Sequence, residues 1–141
     1  MTKRQDKWYW REWSKVVRYC RANNLTAPDR HELHAKALGQ DKSHVDFDDD
    51  DTDDVLAVFM AISEPSNLIA QTRLTNMRKT RRIHKIKRLA PESYWRAEAN
   101  RKFGTDDLES LSLSDLTIFR NHCAKRAPEI RWPAAQVPQP F

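Results

Sequence analysis

The sequence predicts an all-α fold, a compact bundle of about six helices, and three observations carry that prediction. Apolar residues recur three and four positions apart along most of the chain, which is the period of a helix with one inward face. Capping-box spellings, Thr26-Ala-Pro-Asp29 and Ser112-Leu-Ser-Asp115, stand ahead of such runs. The only two glycines among 141 residues, Gly39 and Gly104, each follow one, where a left-handed residue ends a helix.

The first helix is predicted over about residues 7 to 22. Trp10, Trp13, Val17 and Cys20 line its inner face, Arg11, Lys15, Arg18 and Arg21 lie on the others, and Asn23 and Asn24 end it. The second spans about 27 to 38, with proline in its first turn, Leu33 and Ala37 on its stripe and Gly39 as its stop. A third begins in the acidic run with Asp48 as its cap, turns Val55, Phe59 and Ile62 inward beside Leu56 and Val58, and stops at Ser63-Glu-Pro65.

From Asn67 to Leu89 the chain is helical in character, with Thr75-Asn76 as the point where it would break. Met77, Thr80, Ile83, Ile86 and Ala90 make a narrow inward stripe there. Pro91 opens a fifth helix through Trp95, Ala99 and Phe103 to Gly104, and Ser112 caps a sixth through Leu116, Phe119 and Cys123 to Pro128. Residues 128–141 read as a Pro-rich extended tail.

Helix, glycine stop, hydrophobic plug, cap and helix occur twice, at Ala37-Leu-Gly39 with Phe47-Asp48 and at Lys102-Phe-Gly104 with Leu111-Ser112. This predicts a single helical domain over residues 1–127, built from pseudo-repeated halves of about 7–64 and 65–127, since neither half alone offers much core.

Two glycines cannot build a glycine-rich phosphate loop, which removes the usual signatures of nucleotide hydrolysis and dinucleotide binding. Cys20 and Cys123 are far apart and neither sits in a CxxC, so a disulfide framework or zinc ribbon has no support. No apolar run approaches a membrane span, and the opening MTKRQDKWYWREW lacks the apolar stretch of a signal peptide, so the expected location is the cytoplasm, with no membrane partner.

The net charge of +5 is unevenly distributed: seven aspartates lie between Asp46 and Asp54 with no basic residue, leaving +12 on the rest. Arg73, Arg78, Lys79, Arg81, Arg82, Lys85, Lys87 and Arg88 then place eight cations within sixteen positions with no acid among them. On a helix such groups can meet successive phosphates, and each neutralised phosphate releases counterions. They are the candidate nucleic-acid-binding residues, and an acidic protein partner also suits them.

An EF-hand starting at Asp46 would need glycine at its sixth position and glutamate at its twelfth, where this chain has Asp51 and Ala57. The aspartates instead suit a helix N-terminus, and the surplus over capping suggests docking against the basic helix, in this molecule or a neighbour. In His31-Glu-Leu-His34 the second histidine falls one residue short of the zinc-protease spacing. No metal site, cofactor or catalytic group is predicted. Trp8, Tyr9, Trp10 and Trp13 stand beside Lys7, Arg11 and Lys15; Trp10 and Trp13 belong to the core stripe, which leaves Trp8 and Tyr9 as the partner-binding candidates.

From Arg30 through Arg126 the chain resembles the GemA-type regulatory proteins of Mu-like phages and prophages. The likeness is carried by Leu38-Gly39, Asp41-Lys-Ser43, Phe47, Val55-Leu56 and Phe59, then by Arg101-Lys-Phe-Gly104, Leu108-Glu-Ser-Leu111 and Leu116. The resemblance implies an early phage protein that modulates host gene expression through DNA topology or transcription, with no catalytic residues to carry over. The aspartates before the third helix, the Trp-rich start and the Pro-rich tail depart from that pattern.

Together these readings predict a non-enzymatic regulatory protein that associates with the duplex DNA backbone through its basic helix and modulates host or phage gene expression. The competing expectation is a protein-interaction module that binds a host factor of the transcription or DNA-topology machinery without touching DNA.

Overall fold

A computed structural model describes residues 1–133, and the described residues are all-helical. Six α-helices follow one another: α1 (Lys3–Ala22), α2 (Arg30–Leu38), α3 (Asp49–Ser63), α4 (Leu68–Leu89), α5 (Glu92–Phe103) and α6 (Leu113–Arg126). Short 3-10 turns precede α3 and α6 and follow α6. The chain divides into two compact units, Met1–Asn76 and Met77 onward. The boundary falls inside α4, not at Pro65, and α4 runs through Thr75-Asn76 without the expected break. Its first turns belong to the first unit: Asn67 Oδ1 accepts from the Ala70 amide, Gln71 Nε2 donates to the Glu64 carbonyl at 2.9 Å, and Leu74 is buried.

In the first unit α1 starts four residues earlier than its apolar period suggests. Thr2 and Gln5 form a reciprocal capping box that satisfies the exposed amides ahead of that period. The inner face of α1 is Tyr9, Glu12, Val16 and Cys20, one position away from the predicted stripe at Trp10, while Trp13 and Val17 are half-buried at its edge. Asp29 alone caps α2, accepting from the His31 and Glu32 amides, so Thr26 and Pro28 precede the helix. Asp48 and Asp51 box the start of α3, and both α1 and α2 pack on α3 over Val55, Leu56, Phe59 and Met60.

The second unit gathers Ile86 of α4, Ala90 just after it, Trp95 and Ala99 of α5, and Leu116, Phe119 and Cys123 of α6 around the plugs Leu108 and Leu111. The segment after α6 is not extended from residue 128. Ala127–Glu129 make a 3-10 turn and Ile130 packs on the core, while residues 134–141 of the expected tail lie outside the described residues.

The predicted order of helix, glycine stop, plug, cap and helix is present in both units, with matching spacing from the cap onward. In both units a left-handed glycine (Gly39, φ 74°; Gly104, φ 72°) ends one helix, and a 3-10 turn delivers a buried plug, Phe47 or Leu111. A capping residue then starts the next helix, Asp48 or Ser112. Counting from the cap, Thr52 matches Leu116, Val55 matches Phe119 and Phe59 matches Cys123, all six fully buried.

Neither glycine has a neighbour that an added Cβ would meet, so replacement there tests backbone conformation alone. Gly39→Ala is expected to cost about 1 kcal/mol in chemical denaturation, the cost of holding a non-glycine residue at positive φ. A wild-type midpoint would contradict the left-handed stop.

Candidate nucleic-acid interface

A helix turns every 3.6 residues, and this divides the basic run of α4 into two faces. Arg82 shares the inner line with Ile86 and Ala90, and it is 2% exposed. Its Nε donates to Thr117 Oγ1 on α6 at 2.8 Å, and Thr117 passes its own proton to the Leu113 carbonyl. Lys79 also leans inward and donates to the Glu109 carbonyl at 3.1 Å. Arg78 and Arg81 are half-buried. The expected outward display of all eight cations is therefore corrected, because Arg82 is a core residue whose guanidinium joins α4 to α6.

The exposed members are Arg73, in the first unit, and Lys85, Lys87 and Arg88, at the C-terminal end of α4 in the second. Lys87 Nζ also lies 5.8 Å from the ring centre of Trp95. Thr80, predicted to face inward, is exposed.

The charge around this end of α4 is lopsided. From Met77 onward there are 14 Lys and Arg against 7 Asp and Glu, a net +7, whereas Met1–Asn76 carry 11 against 13, a net −2. Four of those seven carboxylates are engaged away from α4. Arg96 pairs with Glu92 at 2.6 Å and Asp106 at 3.1 Å, Arg101 with Glu98 at 2.8 Å, and Arg126 with Glu129 at 3.4 Å. Exposed pairs of this kind add little stability, but they use up local negative charge. Lys85 has no carboxylate partner among the described residues, so its charge adds in full to the positive excess of this unit.

The aspartate run is mostly structural. Asp48 and Asp51 cap α3, Asp51 also holds Lys42 Nζ at 2.7 Å, Asp49 accepts from Gln5, and Asp53 and Asp54 are buried.

Of the two aromatic candidates, Trp8 is half-buried and Tyr9 is fully buried. Tyr9 as a partner-binding residue is corrected: its hydroxyl is engaged at the centre of the first unit, and the exposed aromatic is Trp10, at 39%. Sequence reasoning missed the cluster around Tyr9. Its hydroxyl lies 2.6 Å from His34 Nε2 and accepts from Arg30 Nη1 at 3.0 Å, while its ring stacks on His44. The guanidinium of Arg30 covers the Trp10 ring at 4.6 Å. The local signal was His31-Glu-Leu-His34, but its partner lies 25 positions away.

Both cysteines are buried, and burial pushes the Cys123 thiol up to about 11, so at neutral pH it packs as a thiol and is not an activated nucleophile. Among the described residues no helix is long and apolar enough to cross a membrane. The chain matches no family model, no curated protein and no solved structure at a significant level.

Proposed function

We propose that this protein is a non-enzymatic regulator that associates with the duplex DNA backbone through its second unit and acts in the cytoplasm of a phage or prophage host. The observation that carries the reading is the net +7 of that unit together with the exposure of Lys85 and Lys87 on α4. Mobile ammonium groups on a helix surface suit phosphates, which are met without regard to base sequence. The resemblance to GemA-type proteins supports a role in modulating gene expression.

The decisive measurement is a titration with labelled duplex and single-stranded DNA at two salt concentrations. Binding is expected to be sequence-tolerant and to weaken steeply with salt. Lys85→Glu/Lys87→Glu should weaken all sequences about equally and lower the salt slope by about 2, one for each lost phosphate contact. Absence of binding to any duplex at low salt removes the proposal.

A second reading, capture of a host protein of the transcription or DNA-topology machinery, is favoured by one observation. Leu68 and Ile69, adjacent on the first turn of α4, are 69% and 72% exposed. Retention of a host protein after nuclease treatment, lost on Ile69→Asp, supports this reading over direct DNA contact.

A further inference from the structure

We propose that Tyr9, Arg30 and His34 form a proton-sensitive clasp within the first unit, which holds α1 to α2 and to the loop at Lys42 and is released when His34 takes up a proton.

The hydrogen-bond directions are fixed by elimination. A backbone carbonyl only accepts, so His34 Nδ1, 2.9 Å from the Lys42 oxygen, carries the ring proton. In the neutral ring Nε2 is then an acceptor, and the Tyr9 hydroxyl, 2.6 Å away, donates to it. The Tyr9 oxygen in turn accepts from Arg30 Nη1. One directed chain thus runs from Arg30 through Tyr9 and His34 to the Lys42 carbonyl, joining α2, α1 and the loop before α3.

His34 is 0% exposed and spends both nitrogens in that chain, so no site remains for an added proton. Protonating Nε2 sets two donors, the imidazolium N–H and the Tyr9 O–H, against each other. The Tyr9 oxygen already accepts from Arg30, and a buried donor left without a partner is costly.

The charges facing His34 do not compensate. From α2 come Arg30 and His31, from the 3-10 turn His44, and from α1 Tyr9, with Asp6 lying 3.9 Å from His44 instead. α3 presents the Phe59 ring, and its Asp51 is tied to Lys42 Nζ. His44 therefore has a carboxylate to answer its charge, and so does His122 in the second unit, with Glu98 at 3.3 Å. For His34 no carboxylate is in that position. Burial, with the nearby positive groups adding to it, holds His34 below the ordinary histidine range, against the pull of the Lys42 carbonyl. Burial likewise raises Tyr9, which keeps its proton as a donor.

The sign follows from the lowered value. The unfolded chain binds the proton more readily, so the contribution of the clasp is complete above the unfolded histidine pKa of about 6.5 and falls away below it. The loss reaches at most about tenfold in the folding constant per pH unit for one proton, and it levels off once the pH passes the folded value.

The test is amide hydrogen exchange of α1 in the full chain from pH 7.5 to 5, corrected for intrinsic exchange, with the His34 ring followed by NMR. Expected are the Nδ1–H tautomer, a titration below the ordinary range, and α1 opening that rises as the pH falls below about 6.5. Tyr9→Phe keeps the ring but removes the opposing donor, so it should raise the His34 pKa and flatten the opening profile. His34→Met should remove the same component; should that variant fail to fold, Tyr9→Phe and the wild-type ring titration still decide. An ordinary His34 titration with α1 exchange unchanged, or a Tyr9→Phe profile as steep as wild type, overturns the clasp.

Discussion

Arg82→Glu is expected to unfold the second unit, whereas Lys85→Glu/Lys87→Glu leaves its stability unchanged, although all three positions lie within six residues of one basic run. Arg82 is 2% exposed, its long stem lies on the line of Ile86 and Ala90, and its Nε hydrogen-bonds Thr117 across to α6. Truncation to alanine removes a charge-assisted bond, leaves the Thr117 oxygen without its donor and opens a void, together about 2–4 kcal/mol. Glutamate adds a buried carboxylate in place of a donor and costs more. Lys85 and Lys87 are exposed, where substitutions change stability by roughly 0.5 kcal/mol or less. Urea denaturation followed by far-ultraviolet circular dichroism separates the two cases. An Arg82→Glu protein with the wild-type midpoint would show that the guanidinium is not a structural element, and would return Arg82 to the set of candidate phosphate ligands.

Much of the fold was legible because it is written in local chemistry. Asp48 and Ser112 are short polar side chains that answer amides three residues on, and Gly39 and Gly104 relieve a backbone conformation that other residues resist. These signals fix the starts of α3 and α6 and the ends of α2 and α5, and with them the repeat. What stayed hidden depends on distant partners. Tyr9, not Trp10, turns inward because Arg30 and His34 satisfy its hydroxyl, and Arg82 is admitted to the core by Thr117, 35 positions away. A period-based reading assigns arginine to solvent and tryptophan to the core, and both assignments fail where a buried hydrogen bond overrides polarity. The start of α1 was spelled in Thr2 and Gln5, but the charged residues between them carry no apolar period to draw attention to it.

Phe119→Ala is expected to be the most damaging apolar truncation in the second unit, at about 3–5 kcal/mol. The ring is fully buried, meets Phe103 edge-on at 5.7 Å, stacks on His122 at 6.2 Å and belongs to the cluster of Trp95, Leu108 and Leu116. The position that matches it from the cap in the first unit is Val55, also fully buried. The two units count alike from the cap but fill that frame differently: where the second places phenylalanine and then Cys123, the first places valine and then Phe59. Aromatic volume has moved one turn along the helix. The frame therefore predicts a crossed pattern of losses. Phe119→Ala and Phe59→Ala should each cost several kcal/mol, while Val55→Ala and Cys123→Ala should cost roughly 1–2, since they delete fewer buried atoms. Denaturant midpoints for the four variants read this directly. Equal losses at Val55 and Phe119 would mean that the matched positions are not equivalent packing sites, and that the resemblance between the two units ends at their caps and glycines.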